Sequence, residues 1–240
     1  MGGGVGIPVF VYRARTAVPS PERRQISDAV TLESLYAPGT KPEIVFVHGD
    51  LGSLWNPYPQ LDAFSGSRGV VTYLLAGNGN SSNRSEQSVA GHVADLDRLL
   101  EELAIASSIL HGHSYGTAIA IEYAKRHSVA GLALHAGGDQ DLTPSWEGPL
   151  LRAVLASRLY KLPVDGVLFR RLVESVCCHE TTPKCVTEDF LKSNLMPRRR
   201  SAWKTVTGAF WGCDGREETD SIDVPTLVIH GPDRSGSSDT

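Results

Sequence analysis

Between the apolar pair Ile109-Leu110 and a helix-like run at residues 117–125 stands Gly112-His113-Ser114-Tyr115-Gly116. A Gly-x-Ser-x-Gly set in that place constrains the fold strongly. The glycines let a strand turn sharply into a helix, and the turn pushes the serine side chain outward. A serine hydroxyl is a poor nucleophile until a neighbouring base takes its proton. The start of the following helix sets amide groups and the positive dipole end beside the reacting oxygen. A plain Gly-Ser turn is the bland alternative, and the placement between strand and helix argues against it.

The rest of the chain has the rhythm such a turn requires. Residues 7–14 and 31–37 read as short strands, separated by a polar loop, Pro19-Ser20-Pro21-Glu22-Arg23-Arg24. Residues 43–47 form an apolar run that stops at His48-Gly49, and residues 69–75 form another that stops at Gly77-Asn78-Gly79-Asn80-Ser81. A helix is predicted over 88–103, with Val89, Val93, Leu96, Leu99, Leu100 and Leu103 at three- and four-residue spacings. Residues 108–111, 129–134 and 224–230 complete the strands. Strands alternating with helices imply an α/β chain with a mainly parallel sheet. Sites in such sheets lie at the carboxyl ends of strands, where His48, Gly77, Ser114, Asp139 and Gly231 fall. Residues 139–220 break the rhythm with predicted helices at 150–160, 167–176 and 187–195. The expected division is therefore a core over 1–138, a helical cap over 139–220, and a last core strand with a polar tail over 221–240.

Bulk properties exclude several function classes. The 240 residues suit one domain with an insertion, and 41% hydrophobic with 21% charged residues is ordinary for a globular protein. A formal net charge of -4 gives no basis for binding nucleic acid or an anionic membrane. No apolar run approaches the roughly 20 residues of a membrane span. The glycine-rich start follows no strand, so it is no dinucleotide loop, and it lacks a secretory pattern; a cytoplasmic location is expected. Cys177, Cys178, Cys185 and Cys213 are expected as free thiols. Cys178, His179 and Cys185 lack a clear fourth ligand, so neither a metal nor a cofactor is expected.

His48-Gly49 is the second signal. The loop Gly49-Asp50-Leu51-Gly52 can present a backbone N–H to a developing oxyanion, and the Tyr115 N–H would be the second donor. His48 itself reads as an organiser of that loop. Gly77-x-Gly79-x-Ser81 reads as a turn, because no Lys follows it as a phosphate loop would require.

Taken with Val47-His48-Gly49 and Val224-Pro225-Thr226-Leu227-Val228-Ile229-His230-Gly231, these motifs resemble the α/β-hydrolase fold superfamily, in detail its group with a helical cap. The resemblance implies an α/β-hydrolase fold: a mostly parallel sheet flanked by helices, with a helical cap insertion. It implies Ser114 as nucleophile, the Asp50 and Tyr115 amides as oxyanion hole, an acid just after the last strand, and a histidine after one further strand. The chain departs from the pattern at Leu74, where the family usually carries Asp. The acid is displaced by one place: Asp233 is the candidate, and Asp139 is its rival. None of the eight histidines follows Asp233. His230 belongs to the strand motif, His113 adjoins the nucleophile, and His179 lies in the cap. The expectation is a truncated chain (a fragment, a splice product or a shifted frame), leaving the strand at 224–230 as an exposed edge.

The reading is a serine hydrolase acting on an ester, thioester or amide of a small-molecule acyl substrate through an acyl-enzyme. Variants of the fold that use a carboxylate nucleophile are disfavoured by Ser114. The rival reading is a catalytically incomplete protein that serves as a binding or interaction module. Oligomeric state is left open.

Overall fold

The structure is a computed structural model, described here for residues 19–49, 52–84, 87–140, 147–157, 214–215 and 222–230. Seven strands form one sheet among these residues: β1 (Glu22–Gln25), β2 (Thr31–Ala37), β3 (Thr40–Val47), β4 (Arg68–Tyr73), β5 (Ser108–His113), β6 (Gly131–His135) and β7 (Thr226–Ile229). Their order is β1-β2-β4-β3-β5-β6-β7. β1 and β2 are antiparallel to each other and β2 is antiparallel to β4, while every pairing from β4 through β7 is parallel. The helices among the described residues are α1 (Tyr58–Phe64), α2 (Val89–Glu102), α3 (Tyr115–Ala124) and α4 (Glu147–Ser157).

Strand alternation divides the apolar residues between two faces. On one face Val45, Val47, Val71, Tyr73, Leu110 and Leu132 join Val93, Leu96, Leu99 and Leu100 of α2 and Ile119, Ala120 and Tyr123 of α3 in the main core. On the other face Ile44, Phe46 and Val70 pack with Ala37 and with Leu61 of α1, and Ile109 lies against them. The predicted stripe of α2 is thus the buried one. Its start is fixed by Ser88, whose hydroxyl accepts the Gly91 N–H at 3.0 Å. A residue at positive φ, Ala104 at 53°, then turns the chain toward β5.

Two elements differ from the sequence expectation. The stretch read as the loop Pro19 to Arg24 contains β1, which pairs Glu22 with Ser34 and Arg24 with Leu32. This strand is mostly exposed and carries no alternating apolar residues, so periodicity could not reveal it; Arg24 Nε donates to the Ser34 hydroxyl at 3.1 Å. Helix α1 was not anticipated either. It is short, begins beside Pro57 and Pro59, and buries Leu61 alone among its described side chains. The predicted strand at 7–14 and the predicted helices at 167–176 and 187–195 lie outside the described residues. The first predicted cap helix is matched in part by α4.

β6 and β7 are neighbours although some 90 residues separate them in the chain, at positions 135 and 226. Leu227 and Val228 of β7 are 58% and 64% exposed.

Candidate functional site

Ser114 stands between the end of β5 and the first residue of α3, with φ 53° and ψ -123°. A non-glycine residue in that region is strained and persists only when its surroundings hold it. The holding groups can be named. The Ser114 N–H donates to the His135 carbonyl of β6 at 2.8 Å, and its own carbonyl accepts the Thr117 N–H at 2.9 Å. The Thr117 hydroxyl donates to the same carbonyl. Both sides of the turn are thus pinned, one to the neighbouring strand and one to the helix.

The flanking glycines let backbone approach backbone. A Cβ on Gly116 would collide with the Val47 carbonyl, and one on Gly112 would come within 2.5 Å of the Gly116 carbonyl. The His48-Gly49 loop closes over the turn in the same way: a Cβ on Gly49 would lie 2.7 Å from Ser114 Cβ and 3.2 Å from its Oγ. The carboxyl ends of β3 and β5 therefore meet at the serine.

His48 is buried and both of its ring nitrogens are engaged. Nε2 accepts the Leu75 N–H at 3.0 Å, so the proton sits on Nδ1, which donates to the Gly49 carbonyl at 2.6 Å. Burial lowers its pKa to about 4, against a smaller opposing effect of the Gly49 bond. A histidine committed in this way cannot take a proton from serine; it fixes the loop that begins at Gly49. Gly52 packs directly on its ring, and the Gly52 N–H returns to the Gly49 carbonyl at 3.1 Å.

The third motif is also a structural device. The Gly77 N–H donates to the Ser82 carbonyl at 2.7 Å, and the Ser81 hydroxyl donates to the Leu74 carbonyl at 2.8 Å. Asn80 Nδ2 donates to the Glu33 carboxylate at 3.0 Å and 3.1 Å. These groups serve β2 and β4, as a turn should.

The remaining predicted site residues divide by position. Tyr115 begins α3 directly after the serine, and its side chain is buried in the main core. Asp50 and Asp233 lie outside the described residues. Asp139 follows β6, and its carbonyl accepts the Gly215 N–H at 2.7 Å. Among the described residues no histidine hydrogen-bonds the Ser114 hydroxyl. His113 instead stacks edge-on against His135 on the α1 face, and burial, followed by the His135 charge, lowers its pKa to about 4. His92 lies in the core, edge-on to the Tyr115 ring at 5.9 Å, with burial holding its pKa near 3. No group of three metal-binding side chains is gathered around one point among the described residues. No helix among them is long and apolar enough to cross a membrane.

The family model described as alpha/beta hydrolase family matches residues 44–239. Comparison with curated proteins returned no match. Among solved structures, the chain is similar to a hydrolase from Pseudomonas aeruginosa PA01, with 21% identity and a TM-score of 0.70 over 88% of this chain and 80% of that one. It is similar to a thermophilic esterase from Thermogutta terrifontis, with 22% identity and a TM-score of 0.69 over 89% and 80% of the two chains. A third likeness is to an esterase from Exiguobacterium antarcticum, with 17% identity and a TM-score of 0.71 over 87% and 80%. At these identities the structural likeness bears on the fold alone.

Proposed function

Because the chain belongs to the alpha/beta hydrolase family, we propose that it is a serine hydrolase acting on an ester, thioester or amide bond of a small acyl substrate. The observation that carries this is Ser114 itself: a strained, positive-φ serine at a strand-to-helix turn, pinned by His135 and Thr117. Strain at such a position is retained where it aims a group at its task.

In this reading Ser114 Oγ attacks the substrate carbonyl carbon and a base removes the hydroxyl proton. The tetrahedral oxyanion is received by the backbone N–H groups of Tyr115 and Asp50. Collapse expels the alcohol, thiol or amine and leaves an acyl group on Ser114, which water then removes. Preorganised donors of this type contribute about 3–4 kcal/mol each to transition-state stabilisation. The tight approach of Gly49 to Ser114 supports the placing of the loop that carries Asp50. Asp233 is the proposed acid and Asp139 its rival. His48 is excluded as the base because both its nitrogens bond backbone. An ester is the first substrate class to try, since two of the similar structures are esterases. The proposed division of the chain is a core at 1–138, a helical cap at 139–220, and a last strand with its tail at 221–240; the long connection from β6 to β7, with α4 in it, supports the cap.

A second reading has its own observation. None of the eight histidines in the sequence follows Asp233, and among the described residues none bonds the Ser114 hydroxyl, which leaves room for a protein that keeps the fold to bind rather than to hydrolyse. A series of p-nitrophenyl esters of increasing acyl length separates the two. The hydrolase reading predicts turnover that falls on the order of a thousandfold in Ser114→Ala. Turnover that is absent, or equal in wild type and Ser114→Ala, supports the binding module.

A further inference from the structure

Lys125 caps the C-terminal end of α3, the helix that begins at the elbow, and its side chain is 3% exposed. A helical side chain lies back over the turn before it. The ammonium accordingly meets the Glu122 carboxylate at 3.4 Å, three residues earlier. A further bond leaves the helix: Nζ donates to the carbonyl of Gly215. A buried ammonium persists only where its donors are taken up, so this carbonyl is a partner the lysine holds firmly. Arg126 pairs with the same Glu122 but is 54% exposed. The proposed hydrolysis uses neither cation.

Gly215 lies where the long connection between β6 and β7 comes back to the point it left. The chain departs from β6 through residues 136–140, and Gln140 pairs with Asp214 in an antiparallel bridge. The Gly215 N–H donates to the Asp139 carbonyl at 2.7 Å. The approach leaves no room for a side chain, since a Cβ on Gly215 would lie 2.8 Å from that carbonyl. Departing and returning backbones are thus joined side by side, and Lys125 fastens the joint to α3.

The departing stretch in turn rests on the elbow. It opens at Ala136, with φ 50°, whose N–H donates to the Ile229 carbonyl at 2.9 Å. A Cβ on Gly137 would lie 2.3 Å from the Ser114 carbonyl and 2.0 Å from the Thr117 hydroxyl. Those two groups bond each other and pin the strained serine to α3. A continuous set of contacts therefore runs from Lys125 through Gly215 and Asp139 to Gly137 and Ser114.

We propose that Lys125 is a positioning residue for Ser114: by holding the Gly215 carbonyl it keeps the loop after β6 seated against the elbow. This rests on the reading of Ser114 as a nucleophile. Helix α3 then holds the serine at both ends, at its start through Thr117 and at its far end through Lys125 and the returning backbone.

The test compares the full chain with Lys125→Met, which removes the charge and the bond but keeps the side-chain length. Hydrogen exchange at the Gly215 amide should quicken at least about tenfold, because a hydrogen bond to a charged group is worth roughly ten- to a hundredfold in local opening. Exchange at Leu99, in the core of α2, should not change. The rate at which a fluorophosphonate labels Ser114, per folded molecule, should fall at least about tenfold, since a small misplacement of a reacting group can cost up to about a hundredfold. Arg126→Met should match wild type in both readings. A lysine that served stability alone would quicken exchange at Leu99 as much as at Gly215 and leave the labelling rate unchanged; either result overturns the proposal, as does an equal effect of Arg126→Met. Should Lys125→Met not fold, Gly215→Ala attacks the same joint from its other side and should slow labelling in the same way; unchanged labelling there overturns the proposal. A wild type that resists the probe counts against the nucleophile itself. Exchange at the Ser114 amide, which donates to His135, then decides: quickened together with Gly215 in Lys125→Met it supports the seating of the elbow, and unchanged it overturns it.

Discussion

β5 and β7 are built from similar material and live in different surroundings. Each contains a short aliphatic run, Ile109-Leu110 in one and Leu227-Val228-Ile229 in the other. β5 lies between β3 and β6, with α3 packed on it, and Leu110 is wholly buried. β7 is the last strand of the described sheet, paired with β6 alone, and all four of its residues are exposed. Apolar patterning therefore identifies a strand without fixing its burial, which depends on its place in the sheet order. The elbow grows from the buried strand, and that is why backbone contacts on two sides can hold Ser114 in a strained conformation.

This contrast can be broken most forcefully at Gly116. An added Cβ meets the Val47 carbonyl, which neither β3 nor α3 can yield easily. Gly116→Ala should cost about 3 kcal/mol or more, or prevent folding. A variant within about 0.5 kcal/mol of wild type by urea denaturation would show that the junction is loose.

The strands themselves can be compared by truncation. Leu110→Ala should cost about 2–5 kcal/mol, as for other fully buried leucines. Val228→Ala should change stability by no more than about 0.5 kcal/mol, as at other exposed sites. Similar losses in the two variants would mean that β7 is covered in solution.

A smaller effect is expected with pH, again from the buried half. His48 and His92 have pKa values lowered to about 4 and about 3, mainly by burial. Their unfolded forms bind protons near pH 6.5, before the folded forms do. Stability should therefore be full above about pH 6.5 and fall as the pH drops toward 4 and 3. Asp95 opposes this: burial raises its pKa to about 6 despite Arg84, so its share of stability grows as the pH falls below 6. The two histidines outweigh it. Urea midpoints should decline across this window, and less so in His92→Phe. A flat profile would contradict the buried neutral assignment.

How much could be read beforehand follows from the same physics. The elbow, β3 and α2 were legible because burial on one or both faces writes an apolar run or stripe into the sequence, and Ser88 marks where α2 starts. β1 left no trace, since a strand exposed along its length carries no alternation. α1 is too short and too rich in proline at its start to show a helical period. Within the site, the roles of Gly49 and Gly116 could be suspected from their motifs, but the contacts with Ser114 and Val47 come from strand order. The meeting of His113 with His135 was invisible for the same reason: it requires the register between β5 and β6.

The central claim is that Ser114 is a nucleophile, and covalent labelling tests it most directly. The full chain is treated with a fluorophosphonate probe, digested, and its peptides are read by mass spectrometry. The account predicts a single adduct on the peptide containing Gly112-His113-Ser114-Tyr115-Gly116, absent from Ser114→Ala. A folded chain that remains unlabelled, or one labelled elsewhere and equally in Ser114→Ala, would contradict it.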